Sequence, residues 1–214
     1  MKDMAYWRSK HPIVRQTYNG RPLPNGARYE IDVRHFVWDR DVRLADVILT
    51  APTTGVSLSV LALECQRWVC NNITYARDTT IGASEYWLFP GETFEMRHGD
   101  CEDGACLMAS LLTICLPPAE RWRVRVSAGL VAAGQNAELG GHAYCTFCRP
   151  EDNEWVILDW CYHADPSVIV PYKPRARDVA LYKDVWFSFN SEYAWAHKTL
   201  ELGGRLAGKA GIGR

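Results

Sequence analysis

Along the 214-residue chain the spacing of hydrophobic positions changes several times, and each change marks an expected element. From Arg28, the apolar residues Tyr29, Ile31 and Val33 alternate with Glu30, Asp32 and Arg34, the period of a half-buried strand. A second apolar run at Val47, Ile48 and Leu49 predicts a partner strand, reached through a hairpin at Asp39-Arg40-Asp41. Ser57 to Cys70 contains neither Gly nor Pro and repeats Leu58, Leu61, Ala62, Cys65, Trp68 and Val69 at helical spacing, so a helix is expected there. Pro90 suits the first turn of a short helix ending before Gly99. Next, Cys101, Ala105, Met108, Leu112 and Cys115 share one helical face; Asp100 suits the N-cap and Pro117-Pro118 ends the run. Strand alternation returns from Arg123 to Val131. His142–Cys148 and Glu154–Trp160 then flank Pro150-Glu151-Asp152-Asn153, which predicts a hairpin. Val168–Tyr172 and Val185–Phe189 are candidate strands.

The ends carry no such period. Residues 1–27 mix aromatic and basic residues with several Pro and Gly and read as an irregular lead-in, while Leu202–Arg214 is Gly-rich with Arg205, Lys209 and Arg214 and reads as a flexible basic tail. The expected organisation is an arm with some strands over residues 1–55, a main domain over 56–195 and the tail over 196–214. The elements make an α+β protein. With 48% hydrophobic and 12% aromatic residues the chain can bury a substantial core. Its formal charge of −1 gives no general affinity for nucleic acid. No run approaches membrane-spanning length, and Met-Lys-Asp-Met-Ala-Tyr-Trp-Arg lacks the apolar centre of a signal peptide, so a cytoplasmic protein with no membrane partner is expected. Eight cysteines spread over helices and strands read as reduced thiols.

Three residues then suggest chemistry. Cys101 begins the long helix, where unpaired N–H groups and the positive end of the dipole favour a thiolate, although Asp100, Glu102 and Asp103 oppose it. His142 enters a strand after Gly140-Gly141, and the hairpin centred on residues 150–153 sets residues near 142–144 opposite residues near 159–161. Asp159 can therefore orient His142 while His142 takes a proton from Cys101. This is the set required for thiol-dependent acyl transfer. The backbone N–H of Cys101 suits a developing oxyanion, and Trp87 is either a core residue or a wall of the cleft and second oxyanion donor. Read alone, Cys101 is first of all an inert buried thiol at a capped helix start.

Gly99-Asp100-Cys101-Glu102-Asp103 lies downstream of Tyr86-Trp87 and Pro90-Gly91-Glu92-Thr93, and upstream of Gly141-His142-Ala143-Tyr144 and Leu158-Asp159-Trp160. Together these resemble the transglutaminase-like superfamily over roughly residues 56–162, nearest its bacterial transglutaminase-like cysteine proteinases. The resemblance implies a papain-like core in which a central helix bearing the cysteine packs on an antiparallel sheet bearing the histidine and aspartate. It implies a protein or peptide substrate, chemistry that requires no cofactor, and in some members a calcium site formed by the acids flanking the cysteine, here Asp100 and Glu102. Hydrolysis by a cysteine peptidase is the expected outcome. Protein-glutamine cross-linking or deamidation is the alternative, since the same thioacyl enzyme serves water or amine. Two rivals stand beside it. One is a non-catalytic binding or assembly module of the same fold; the other is a structural zinc site drawn from Cys145, Cys148, Cys161 and His163.

Overall fold

A computed structural model of the chain describes residues 17–22, 28–49, 55–78, 86–133 and 138–196. Strand β1, Thr17–Pro22, pairs antiparallel with β2, Arg28–Asp32, so part of the expected lead-in is a strand; residues 1–16, 23–27 and the basic tail lie outside the described residues. The alternation from Arg28 stops being a strand at Asp32, whose carboxylate accepts the Arg34 N–H at 3.0 Å and caps a 3₁₀ turn over Val33–Phe36. The strand expected at Val47–Leu49 is instead the end of helix α1, Val42–Leu49. Asp41 accepts the N–H groups of Arg43 and Leu44 at 2.9 and 3.2 Å, and Leu44 is fully buried. A helix start was thus written in the residue read as a turn.

Helix α2, Leu58–Asn72, forms where the spacing predicts one, and Ser57 caps it. Strand β3, Thr74–Tyr75, helix α3, Pro90–Met96, and strand β4, His98–Gly99, lead into helix α4, Cys101–Cys115. β3 and β4 pair in parallel immediately before α4. After a 3₁₀ turn come β5, Val124–Ala133, β6, Glu138–Cys148, and β7, Trp155–Leu158; β8, Tyr182–Phe189, and β9, Ala194–Ala196, complete an antiparallel sheet in the order β7-β6-β5-β8-β9. Val168–Tyr172 is not a strand. Pro171, which cannot donate to a ladder, sits in a 3₁₀ turn over Val170–Tyr172.

Helix α4 is buried from Glu102 through Thr113. Leu107, Met108, Leu111 and Leu112 join Phe147 and Leu158 of the sheet, Leu61 and Val69 of α2, and Phe36 and Leu44 of the N-terminal segment in one core. A helix apolar all round is a helix with partners on every side. This mixed arrangement, with a central helix on an antiparallel sheet, is an α+β fold with a papain-like core.

Candidate active site

Two features hold the start of α4 in place. Asp103 is buried and accepts the backbone N–H of Asp100 at 3.1 Å and of Leu88 at 2.7 Å, so one carboxylate caps the helix and ties down the segment before α3. Across the helix, the Trp160 indole N–H donates to the Cys101 carbonyl at 3.1 Å. Its ring lies so close that a Cβ at Gly104 would stand 2.2 Å from Trp160 Cε2. Only glycine leaves room for Trp160, and Trp160 is the residue after Asp159.

The hairpin delivers the other two groups. Cys145 pairs with Leu158, where the β6–β7 ladder ends, so Asp159 lies just past the paired residues and His142 is three residues before the last pair on β6. Both side chains are fully buried, and His142 Nε2 donates to Asp159 Oδ2 at 2.9 Å. His142 Nδ1, also buried, has no hydrogen-bond partner among the described residues. With Nε2–H held by the carboxylate, Nδ1 is the basic nitrogen. Asp159 is further held by the Tyr182 hydroxyl at 2.6 Å and by the N–H groups of Cys161 and His163 at 3.1 and 3.3 Å. Burial would push this carboxyl up; the His142 hydrogen bond and charge, with those donors, outweigh it and bring the pKa down to about 2. Asp159 is built to stay ionised.

Cys101 is half-buried at the first position of α4. Its Sγ donates to Glu102 Oε2 at 3.2 Å, and no hydrogen bond joins it to His142 among the described residues. Burial and the Asp100 charge push the thiol well above its usual value, against the Ala143 backbone N–H and Glu102, which favour the thiolate less strongly. The helix-start advantage expected from the sequence is thus outweighed by the acids and the loss of water. Asp100 and Glu102 each keep one buried carboxylate oxygen, Oδ1 and Oε1, with no partner among the described residues, and burial pushes both carboxyls up. Ligand atoms of Asp100, Cys101 and Glu102 lie within 4.8 Å of one another. Partnerless carboxylate oxygens crowded together fit a hard cation in donor type.

The remaining candidates lie elsewhere. Trp87 is 8% exposed and packs edge-on to Phe36 at 5.2 Å and stacked with Phe189 at 6.0 Å, placing it in the core. Cys145 and Cys148 are buried in β6, and neither joins a cluster of metal-ligand atoms among the described residues. His163, for which the sequence suggests no orienting partner, has one: Nε2 bonds the Ala132 carbonyl at 2.8 Å.

Several residues of the site escape sequence reading. Gln66 of α2, fully buried, donates to the Asp159 carbonyl at 2.7 Å and to Asp165 Oδ1 at 3.0 Å. Tyr162 covers the His142 ring at 4.5 Å between centroids, and its hydroxyl meets that of Tyr75 at 3.2 Å. None of these has a sequence period or motif; an isolated glycine inside a helical run, Gly104, is the one signal that could have pointed to the Trp160 contact.

A helix led by Cys101 thus packs on an antiparallel sheet whose outer hairpin brings His142 to Asp159. No family model matches the chain, and no curated protein matches it. Among solved structures it shares its fold with LapG of Legionella pneumophila, a transglutaminase-like cysteine protease, at 22% identity over 73% of this chain and 75% of that one, with a TM-score of 0.51. Calcium-bound LapG gives 22% identity, 75% and 81% coverage and a TM-score of 0.51; EGTA-treated LapG gives 23%, 76%, 76% and 0.51. Among the described residues no helix is long and apolar enough to cross a membrane.

Proposed function

We propose that this chain is a cysteine peptidase that hydrolyses protein or peptide amides through Cys101, His142 and Asp159. The observation that carries the reading is the buried His142 Nε2–Asp159 bond of 2.9 Å, which leaves Nδ1 without a partner in the hairpin packed against Cys101. A histidine serving structure alone would have both ring nitrogens satisfied. The shared fold with LapG, a cysteine protease, supports the same reading.

His142 Nδ1 takes the Cys101 proton as the sulfur attacks the amide carbon, and Asp159 stabilises the imidazolium that results. The first-turn N–H groups of α4, that of Cys101 among them, stabilise the oxyanion. Collapse of the tetrahedral adduct breaks the C–N bond, and His142 passes its proton to the leaving amine. Water, deprotonated by His142, then attacks the thioester, and the carboxylic acid leaves as the thiol is restored. Cys101 must first release its bond to Glu102, a small adjustment of the kind that substrate binding brings about.

Asp100 and Glu102 would hold calcium, a proposal supported by their partnerless oxygens and by the calcium-bound form of LapG. When bound, the ion supplies positive charge beside Cys101, which favours the thiolate. Incubation with a peptide library and an added primary amine, read by mass spectrometry, tests the function. Cleaved peptides support hydrolysis, amine adducts or deamidated glutamines would move the reading to the alternative acceptor chemistry, and no product of any kind would leave a binding module.

A further inference from the structure

Cys161 is one of seven thiols that the proposed chemistry does not use, and its position is unusual for a spectator. A ring nitrogen of His142, a carboxylate oxygen of Asp159 and Cys161 Sγ lie within 4.8 Å of one another, with the first two residues buried and Cys161 half-buried. Cys161 Sγ stands 3.7 Å from Asp159 Oδ1, and His142 Nε2 stands 2.9 Å from Oδ2. Imidazole nitrogen, carboxylate oxygen and thiolate sulfur are the three ligand types of zinc. Bonds of about 2.0–2.3 Å in a tetrahedron put ligand atoms about 3.3–3.8 Å apart. The three atoms thus need to move by roughly an ångström or less to share an ion, with water in the fourth position.

We infer that His142, Asp159 and Cys161 form an inhibitory site for zinc, distinct from the Asp100–Glu102 pair and built on the same imidazole that the proposed catalysis needs. The inference deepens that reading and rests on it for the inhibition, not for the binding. Zinc replaces two hydrogens now held toward Asp159, the Cys161 S–H and the His142 Nε2–H. The thiol proton leaves to solvent, the sulfur lone pair forms the Zn–S bond, and the imidazole proton moves to Nδ1. No bond has to break at Nδ1, because it has no partner among the described residues. Two anionic ligands balance the charge of the ion, and the Asp159 carboxylate keeps the Tyr182 hydroxyl and the backbone N–H groups of Cys161 and His163 as supporting donors. With its proton on Nδ1, His142 can no longer accept one from Cys101. Zinc and turnover are mutually exclusive uses of one ring.

The test adds zinc, and separately cobalt(II) as its coloured substitute, to the full chain with calcium present. Wild type is expected to bind one equivalent of cobalt with an intense near-ultraviolet thiolate-to-metal band, and zinc is expected to displace it. Cys161→Ser keeps a donor toward Asp159 but removes the soft ligand; it should lose the band, weaken zinc by about tenfold or more, and retain turnover without metal. Cys161→Ala, checked by its melting curve, guards against a folding defect in the first variant. Cys101→Ser should keep the band. A band lost in Cys101→Ser but kept in Cys161→Ser would overturn the proposal by placing the metal on the nucleophile, and so would the absence of any one-to-one cobalt complex. If the cobalt band behaves as expected while no peptide or amine chemistry is found, the functional reading fails and the metal site stands; peptide cleavage without the band gives the reverse.

Discussion

Asp159 beside His142 and the pair Asp100 and Glu102 beside Cys101 are carboxylates taken out of water to different extents, and the chain treats them in opposite ways. Asp159 is surrounded by donors from an imidazole, a phenol and two backbone amides, and its pKa falls to about 2. Asp100 and Glu102 sit at the N-terminus of α4 with one partnerless oxygen each, and burial and mutual repulsion push Glu102 well up. Burial alone therefore does not decide whether a carboxylate is ionised; the number of donors aimed at it does. One acid is complete as the chain folds. The other pair is a site in want of positive charge.

Removing the thiol between these two settings gives the largest effect. Cys101→Ala should lower peptide cleavage by about 10⁴-fold or more while leaving the melting transition unchanged, since a triad nucleophile carries most of the chemistry and the side chain is small. Turnover near the wild-type rate would remove Cys101 from its role. Asp159→Asn, which keeps the shape and discards the charge, should cost roughly ten- to ten-thousand-fold in activity per folded molecule. It should also flatten an acid transition. With its pKa at about 2 in the folded chain and about 3.9 in the unfolded one, Asp159 contributes roughly 2–3 kcal/mol that is present above pH 4 and lost as pH falls from about 4 toward 2. Denaturant titrations across that window, on wild type and variant, check the sign.

The acids at α4 run the other way. Their raised pKa values mean that the folded chain binds more protons than the unfolded one, so their contribution falls as pH rises above about 4. Calcium should reverse this at neutral pH, by about 2.7 kcal/mol at a hundredfold excess over its Kd, seen as a rise of several degrees in Tm that EGTA abolishes. Glu102→Gln should melt higher than wild type in EGTA and respond little to calcium; an undiminished response would place the ion elsewhere. The smallest effect belongs to His163→Ala. The backbone N–H that reaches Asp159 survives, while the ring's bond to the Ala132 carbonyl and its edge contact with Tyr182 are lost, so stability should drop by about 1 kcal/mol with activity within a few-fold of wild type. A loss matching that of His142→Ala would show that the general base has been misassigned.

Regular spacing made the long elements legible. The face shared by Cys101, Ala105, Met108, Leu112 and Cys115 is the helix observed, and the turn at residues 150–153 set His142 near Asp159 because an antiparallel ladder converts sequence distance into spatial proximity. Short apolar runs were not legible. Val47–Leu49 reads as strand or helix alike, and the deciding residue was Asp41, whose side chain could turn a chain or cap a helix. The supports of the site were hidden for a different reason. Gln66 and Tyr182 reach it from two separate elements, and a single sequence has no periodicity that joins residues so far apart. The opposition to a Cys101 thiolate was visible as three acids, but its outcome depended on how much water the fold removes.

The contact between Trp160 and Gly104 also has a meaning in time. Cys101 belongs to a helix that can form locally, whereas His142 and Asp159 belong to a hairpin made later in the chain, and the two are brought together where the Trp160 ring enters the space that a side chain at position 104 would fill. A nascent or partly folded chain, with helix and hairpin each formed but not docked, carries every residue of the proposed triad and none of its reactivity. The proposed activity would therefore wait on the docking of helix and hairpin, the step that seats the Trp160 ring against Gly104.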